Sequence, residues 1–258
     1  MSITYLISTF LASLKGVPVT LFITFFALIV ALPLGFGLAL LRLKKIPVLS
    51  QLARLYTLII RGTPLILLIL LFYSFVPSFL NAFFKAHQIG IDIFKVNPLV
   101  YACAVFLLVA VAAVAEIFRS SLLAVDSGQF EAGQVTNLSA FHLYTRIILP
   151  QALVSSLPNL CNLTITLVKG TSLVFVMTVK DITAIAKIQA SYGYNYAESY
   201  VVIFIIYIIV CSLIQYGFKK LAAFVTVDQP TAPKKLPIPS ETAGIEKGVL
   251  HVEYSELA

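Results

Sequence analysis

The sequence predicts an all-α membrane protein with five transmembrane helices, and three observations carry that prediction. Of its 258 residues, 60% are hydrophobic and only 11% are charged, where a soluble domain is about a quarter charged. Mean hydropathy is +0.99, so there is too little charge to coat a water-soluble globule. The apolar residues fall in long runs, and the length has room for about five or six spans of roughly 20 residues. These figures exclude secreted, disordered and fibrous classes. The 18 Lys and Arg exceed the 11 Asp and Glu to give a net charge of +7. That excess sits in residues 1–225, between apolar runs, whereas residues 226–258 are net acidic. Such a distribution marks cytoplasmic loops and argues against nucleic acid as a partner.

Val17 to Leu41 carries no ionisable side chain and is long enough to cross with some tilt. Pro18 suits a first helical turn, and Pro33 lies where it kinks the middle. The preceding residues, 1–16, have no basic start and no small-residue cleavage site, so they read as an extracytoplasmic segment and not a removable signal peptide. The second span is expected from Ala53 to Leu80, interrupted at Arg61-Gly62-Thr63-Pro64. Pro98 to Ala115 supplies the third, ending in Glu116 and Arg119. Pro150 to Val168 is a more polar fourth, with Asn159, Asn162, Thr164 and Thr166. Val201 to Phe218 is the fifth.

Loop charges set the expected orientation. Arg42, Lys44, Lys45 and Arg54 crowd the connection after the first span, Arg119 and Arg146 flank the segment after the third, and Lys219 and Lys220 close the fifth. On the other side, Lys85, Lys95, Lys180 and Lys187 are partly offset by Asp92, Asp181 and Glu198. The positive-inside rule therefore places the N-terminus outside and the C-terminus inside, as five spans require. The transmembrane domain is bounded at 17–225. The tail, 226–258, holds Pro230, Pro233, Pro237 and Pro239 and reads as a disordered cytoplasmic extension. Cys103, Cys161 and Cys211 lie singly in apolar stretches and read as small core residues. Tyr192, Tyr194, Tyr196 and Tyr200 read as an outer interfacial belt.

Between Asp126 and Pro150 lies a stretch too polar to span and too patterned to be a linker. Its first half predicts a short amphipathic helix from near Gly128 to Asn137, a residue that tolerates a left-handed backbone. A further turn or two precedes Pro150. The apolar edge of this element, Phe130, Val135, Leu138 and Phe141, suits either a membrane surface or a groove on a partner.

This segment resembles the EAA loop of ABC-importer permeases, whose pattern is Glu-Ala-Ala-x-x-x-Gly followed by Ile-x-Leu-Pro. Here Glu131, Ala132 and Gly133 take the first three places, Asn137 takes the glycine place, and Ile147, Leu149 and Pro150 complete it. Arg61-Gly62-Thr63-Pro64 and Ala115-Glu116-Ile117-Phe118-Arg119 are similar to the polar amino-acid branch of that family. The resemblance covers residues 1–225 and implies the type I importer fold. It also implies that 128–149 is a coupling loop seated in a cleft of a separate ATP-hydrolysing subunit. Asn137 and Gly133 depart from the pattern; the second lowers helix propensity by about 0.8–1.0 kcal/mol.

Broken spans point to a transport site, because freed backbone groups can line a cavity. Arg61, Gly62, Thr63 and Pro64 form one break, and Lys169, Gly170, Thr171 and Ser172 form the other; all eight are candidate substrate-binding residues. Lys169 equally suits snorkelling or a salt bridge, and Arg61 suits a topology anchor. In the family that the chain resembles, the stretch matching Lys169 to Leu173 commonly reads Lys-Asp-Thr-Ser-Leu. Gly170 replaces the acid, which argues against arginine, lysine or histidine as cargo. The Lys-Gly-Thr-Ser-Leu variant is similar to permeases for cystine and related sulfur amino acids.

No GxxxxGK[ST], HExxH or clustered His or Cys is present, and His87, His142 and His251 lie on different segments. The chain is expected to be no enzyme, to have no catalytic or metal-ligating residues, and to hold no cofactor. The resemblance implies that ATP and Mg bind two partner ATPase subunits. It further implies a second permease, identical or homologous, an extracytoplasmic amino-acid-binding protein, and a multi-pass location in a prokaryotic cell membrane. A non-ABC channel or scaffold subunit with an amphipathic cytoplasmic helix is the alternative.

Overall fold

Apolar runs of this length in a bilayer must satisfy their backbone groups internally, which leaves helices as the natural solution. A computed structural model of the chain describes residues 3–44, 46–89 and 93–226. Lys45, Asp92 and residues 227–258, on which parts of the charge and tail expectations fall, lie outside them. Among the described residues every regular element is helical. In chain order these are α1 (Ile3–Leu14), α2 (Val17–Leu43), α3 (Leu49–Gly62), α4 (Leu65–Ala86), α5 (Pro98–Leu123), α6 (Ser127–Val135), α7 (Ala140–Leu143), α8 (Leu149–Gly170), α9 (Ile182–Ser191) and α10 (Tyr196–Thr226). A π-helical turn, Tyr144–Ile148, joins α7 to α8, and a 3-10 stretch, Thr171–Met177, extends α8. The chain divides at Ala222, and only residues 223–226 of the second unit are described, as the end of α10.

Among the described residues five stretches are long and apolar enough to cross a membrane: Ile3–Leu43, Leu65–Ala86, Pro98–Leu123, Ala140–Met177 and Tyr196–Val225. The core is built on α2 and α5. On α2, the small residues Ala27, Ala31, Gly35 and Ala39 are buried at helical spacing, which lets two backbones approach closely. A Cβ added at Gly35 would lie 2.6 Å from Val114 Cγ1 and 3.0 Å from the Ala115 nitrogen, so only glycine fits that crossing. Phe36 and Phe118 meet edge to face beside it, centroids 5.3 Å apart. Asn97 caps α5 by accepting from the Leu99 N–H at 2.9 Å, with Pro98 at its first position.

The second span differs from its sequence reading. Ala53–Gly62 belongs to a separate helix, α3, and the candidate span is α4 alone, Leu65–Ala86. Pro64 has no N–H to continue the ladder and sits extended at φ −57°, ψ 135° before α4, which separates the two. The α3 helix is apolar side out: Ser50, Ala53 and Thr57 are buried, while Leu52, Leu55, Leu58 and Ile59 are more than half exposed. A Tyr56 hydroxyl donating to the Leu108 carbonyl at 2.7 Å ties α3 to α5.

Other bounds also shift. The third span continues through Glu116 to Leu123, and the fourth starts at Ala140, not Pro150. Pro150 stays inside a continuous helix because the preceding π-turn, with the Leu149 N–H bonded to the Tyr144 carbonyl, opens the backbone where its ring meets the previous turn. The helix of the fifth span, α10, extends from Tyr196 to Thr226. Residues 1–16 contain α1, whose Leu6 and Phe10 pack with Val202, Ile206 and Val210. Tyr5 shares a 2.7 Å hydrogen bond with the Ser199 hydroxyl.

Candidate functional site

The segment after α5 is built from two local stops. Asp126 starts α6 by accepting from the Gly128 N–H at 2.7 Å. At the other end Asn137 takes φ 53°. The Leu138 N–H then donates to the Gly133 carbonyl and the Asn137 N–H to the Gln134 carbonyl, both at 3.0 Å. That pair of bonds is the Schellman arrangement, and asparagine accepts the left-handed conformation that it needs. Ser139 then caps α7. Leu143 and Ile148 are buried with Leu122 and Ala152 against Phe36, Leu40 and Leu43, so the segment is packed onto the ends of α2 and α5.

Within this segment Glu131 and Ala132 are exposed and Gly133 is buried. A Cβ at Gly133 would lie 2.5 Å from Leu143 Cδ1, which explains the glycine where the resembled pattern has alanine. Ile147 and Leu149 are partly covered and Pro150 is exposed. Val135 and Phe141 are 86% and 73% exposed, and Leu138 also faces outward. Phe130 departs from the expected edge: it turns inward, half-buried, onto the Leu143 cluster and the Tyr144 ring.

The two breaks come together at one point. Gly170, the last residue of α8, lies against Leu65 at the start of α4 and against Phe106 of α5. A side chain at position 170 would meet this apolar wall, Leu65 Cδ2 being 2.8 Å from the Cβ position. Pro64 leads into α4, and the Thr63 hydroxyl donates back to the Ile59 carbonyl at 2.8 Å. Gly62 and Lys169 are exposed and Ser172 is partly covered. Thr171 is fully buried: its hydroxyl donates to the Val168 carbonyl at 2.7 Å and lies 3.4 Å from the Tyr207 hydroxyl. Tyr207 in turn donates to Asp181 Oδ2 at 3.3 Å. Asp181 caps α9 by accepting from the Thr183 and Ala184 N–H groups at 3.0 and 2.8 Å. Burial pushes the Asp181 carboxyl above its ordinary range, against those hydrogen bonds.

Arg61 points elsewhere. With Ala113, Glu116, Ile117, Ser120, Asn159 and Leu163 it lines a cavity of about 300 Å³. Glu116 gathers three guanidinium groups: Arg42 Nη1 donates to Oε2 at 2.8 Å, Arg119 Nε to Oε1 at 3.1 Å, and Arg61 Nη1 stands 3.9 Å from Oε2. One carboxylate cannot neutralise three cations, so the cluster keeps a net positive charge, although only Arg61 and Glu116 of it line the cavity, beside the polar Ser120 and Asn159. Glu116, Ser120 and Asn159 were not among the sequence candidates. The available signal was charge inside an otherwise apolar run, since an ionisable residue there is costly and normally faces a cavity or partner. Glu116 and Arg119, three residues apart, share a helix face.

The family described as binding-protein-dependent transport system inner membrane component matches residues 31–223. The chain belongs to that family. It is 36% identical over 202 residues to the L-cystine transport system permease protein TcyL of Bacillus subtilis, covering 78% of this chain and 82% of the relative. It is also 36% identical to the probable amino-acid permease protein YxeN of the same organism, covering 84% and 93%. Among solved structures, an amino acid ABC transporter matches with TM-score 0.72 at 28% identity, over 89% of this chain and 99% of the other. The MetNI methionine ABC transporter in an inward-facing form matches in fold, with TM-score 0.64 at 20% identity, over 88% and 100%. This is an amino-acid ABC transporter permease, a multi-pass membrane protein of the type I permease fold and not an enzyme.

Proposed function

We propose that the permease forms the translocation pathway of an ATP-driven importer, pairs with a second permease, and carries cystine or a related sulfur amino acid. The observation that carries the coupling half is the capped α6–α7 element, whose Glu131, Val135, Leu138 and Phe141 face outward. Fully burying an apolar side chain of this size stabilises an interface by about 1.5–3 kcal/mol before the costs of association. An ATPase cleft that receives this edge would make 128–149 the coupling loop, on the same side as the C-terminus, with the N-terminus outside. Residues 226–258 would then extend from that cytoplasmic side.

In this mechanism ATP and Mg bind two partner ATPase subunits. Their closure pulls on the coupling loops and rocks the spans outward; a binding protein delivers the amino acid, and hydrolysis resets the inward state in a prokaryotic cell membrane. Such a shift is driven only by interactions that differ between the two states. Cystine is favoured because the relative TcyL is named for L-cystine and because Gly170 offers no carboxylate to a cationic side chain. The exposed Arg61 guanidinium in its cavity suits the carboxylate of a cargo, with Lys169 and Ser172 as the accessible groups of the second break. Buried Thr171 supports the geometry of that break from inside.

The test is ATP-dependent uptake of cystine into proteoliposomes holding the permease, its ATPase and its binding protein. Uptake that needs ATP, and is lost with ATPase association in Glu131→Arg, supports the reading. Intact association and uptake in Glu131→Arg refutes the coupling assignment, and uptake of arginine in preference to cystine refutes the cargo.

A further inference from the structure

Glu116 stands where three parts of the fold meet. Its Oε2 takes Arg42 from the last turn of α2, its Oε1 takes Arg119 one turn along α5, and Arg61 from the end of α3 lines the same cavity with it. These three contacts differ in kind. Arg42 and Arg119 make charge-assisted hydrogen bonds and are 14% and 31% exposed, whereas Arg61 is 53% exposed and beyond hydrogen-bond distance. Arg61 therefore has the weakest hold on Glu116 of the three, next to Gly62, Thr63 and Pro64, where the backbone is released between α3 and α4. The same ends of α2 and α5 carry the segment after α5: Leu43 adjoins Arg42, and Leu122, one turn beyond Arg119, is buried against Leu143 and Ile148.

We propose that Glu116 is a positioning residue that links the coupling loop to the cargo cavity, setting where Arg61 stands according to how α2 and α5 are held at their ends. A pull on the loop moves Leu122 and Leu43 and carries the Arg42–Glu116–Arg119 cluster with them. Arg61, the loosest member, is displaced within the cavity that it lines. Neutralising Glu116 leaves three guanidinium groups facing one another, so Arg61 swings out and no longer follows the loop. This inference rests on the coupling reading of residues 128–149.

The experiment measures cystine uptake per ATP hydrolysed by the assembled permease, ATPase and binding protein in proteoliposomes. Glu116→Gln is expected to lower that ratio by about tenfold, within the range typical of coupling between sites. Glu116→Asp, which keeps the charge, is expected to restore a substantial part of it. Arg61→Gln, at an exposed position that does not threaten folding, is expected to lower the ratio in the same direction. The double variant should be no worse than Glu116→Gln alone, as for two members of one network. An unchanged ratio in Glu116→Gln, or an Asp variant no better than the Gln variant, overturns the proposal. If Glu116→Gln does not assemble, an unchanged ratio in Arg61→Gln overturns it. A wild-type assembly that shows no ATP-driven uptake instead refutes the importer reading, which separates the two failures.

Discussion

Replacing Gly133 with alanine restores the residue of the resembled pattern, yet the packing predicts a cost. The added Cβ lies 2.5, 2.9 and 3.2 Å from Cδ1, Cδ2 and Cγ of Leu143. Leu143 is 6% exposed and wedged among Leu122, Ile148 and Ala152, so it has little room to give. Overpacking of this kind costs about 1–3 kcal/mol, while glycine to alanine within a helix returns about 0.8–1.0 kcal/mol. The difference is a net loss of roughly 0–2 kcal/mol, centred near 1, localised to α6 and α7. Hydrogen exchange on the intact permease reads it directly, because local opening sets the exchange rate. Amides of α6 in Gly133→Ala should exchange about fivefold faster than in the parent, as 1 kcal/mol implies. In a Leu143→Val background, where the clashing δ carbons are absent, the same glycine-to-alanine change should cost less protection than it does in the parent, or none. Slower exchange on glycine-to-alanine change in the parent and the Leu143→Val background alike would show that helix propensity governs the site, and would refute the packing argument.

Asn137 at φ 53° predicts that Asn137→Gly preserves or improves α6 protection, while Asn137→Val lowers it by about 1–2 kcal/mol through left-handed strain; equal protection in both variants would contradict the cap. For Asp181 the sign follows from the raised carboxyl. The folded state holds its proton more tightly than the unfolded chain, so this group's contribution falls as pH rises from the ordinary value of 3.8 through the raised one, and is flat above it. Asp181→Asn should remove that slope from the melting temperature measured against pH. Asp181→Ala should in addition lose the α9 cap, at about 0.5–2 kcal/mol; a parent with no slope above pH 3.8 would refute the burial argument. At Gly35 even alanine should lower folded yield, measured by size-exclusion recovery in detergent, because the added atom meets the Ala115 backbone as well as Val114.

Elements with local signals are legible in the sequence. Proline at the starts of α2 and α5, the apolar runs, and the start and left-handed stop of α6 each follow from short-range chemistry, and the break at Gly170 follows from its neighbours. What escaped depended on partners distant in sequence. The α3 helix is less apolar than α4 and strongly one-sided, with Gln51, Arg54 and Arg61 in its sequence, so its separation from the span was legible there; that its small, polar face is the buried one shows only against α2 and α5. The π-turn before Pro150 arises from a continuous helix that must accommodate the ring. Phe130 looked like part of an outward edge until Leu143 and Tyr144 were placed beside it. Glu116 was visible as a charge in an apolar run, but its role as a hub needs Arg42 and Arg61, from two other helices, at the same point.

The central claim is that this permease converts ATP hydrolysis in a partner into amino-acid uptake through the loop at 128–149. The measurement that tests it most directly is cystine uptake by the reconstituted assembly, taken side by side for the parent and Glu131→Arg. The account predicts ATP-dependent uptake in the parent, and loss of both uptake and ATPase association in the variant at an unchanged yield of folded permease. Equal uptake by the two would contradict it.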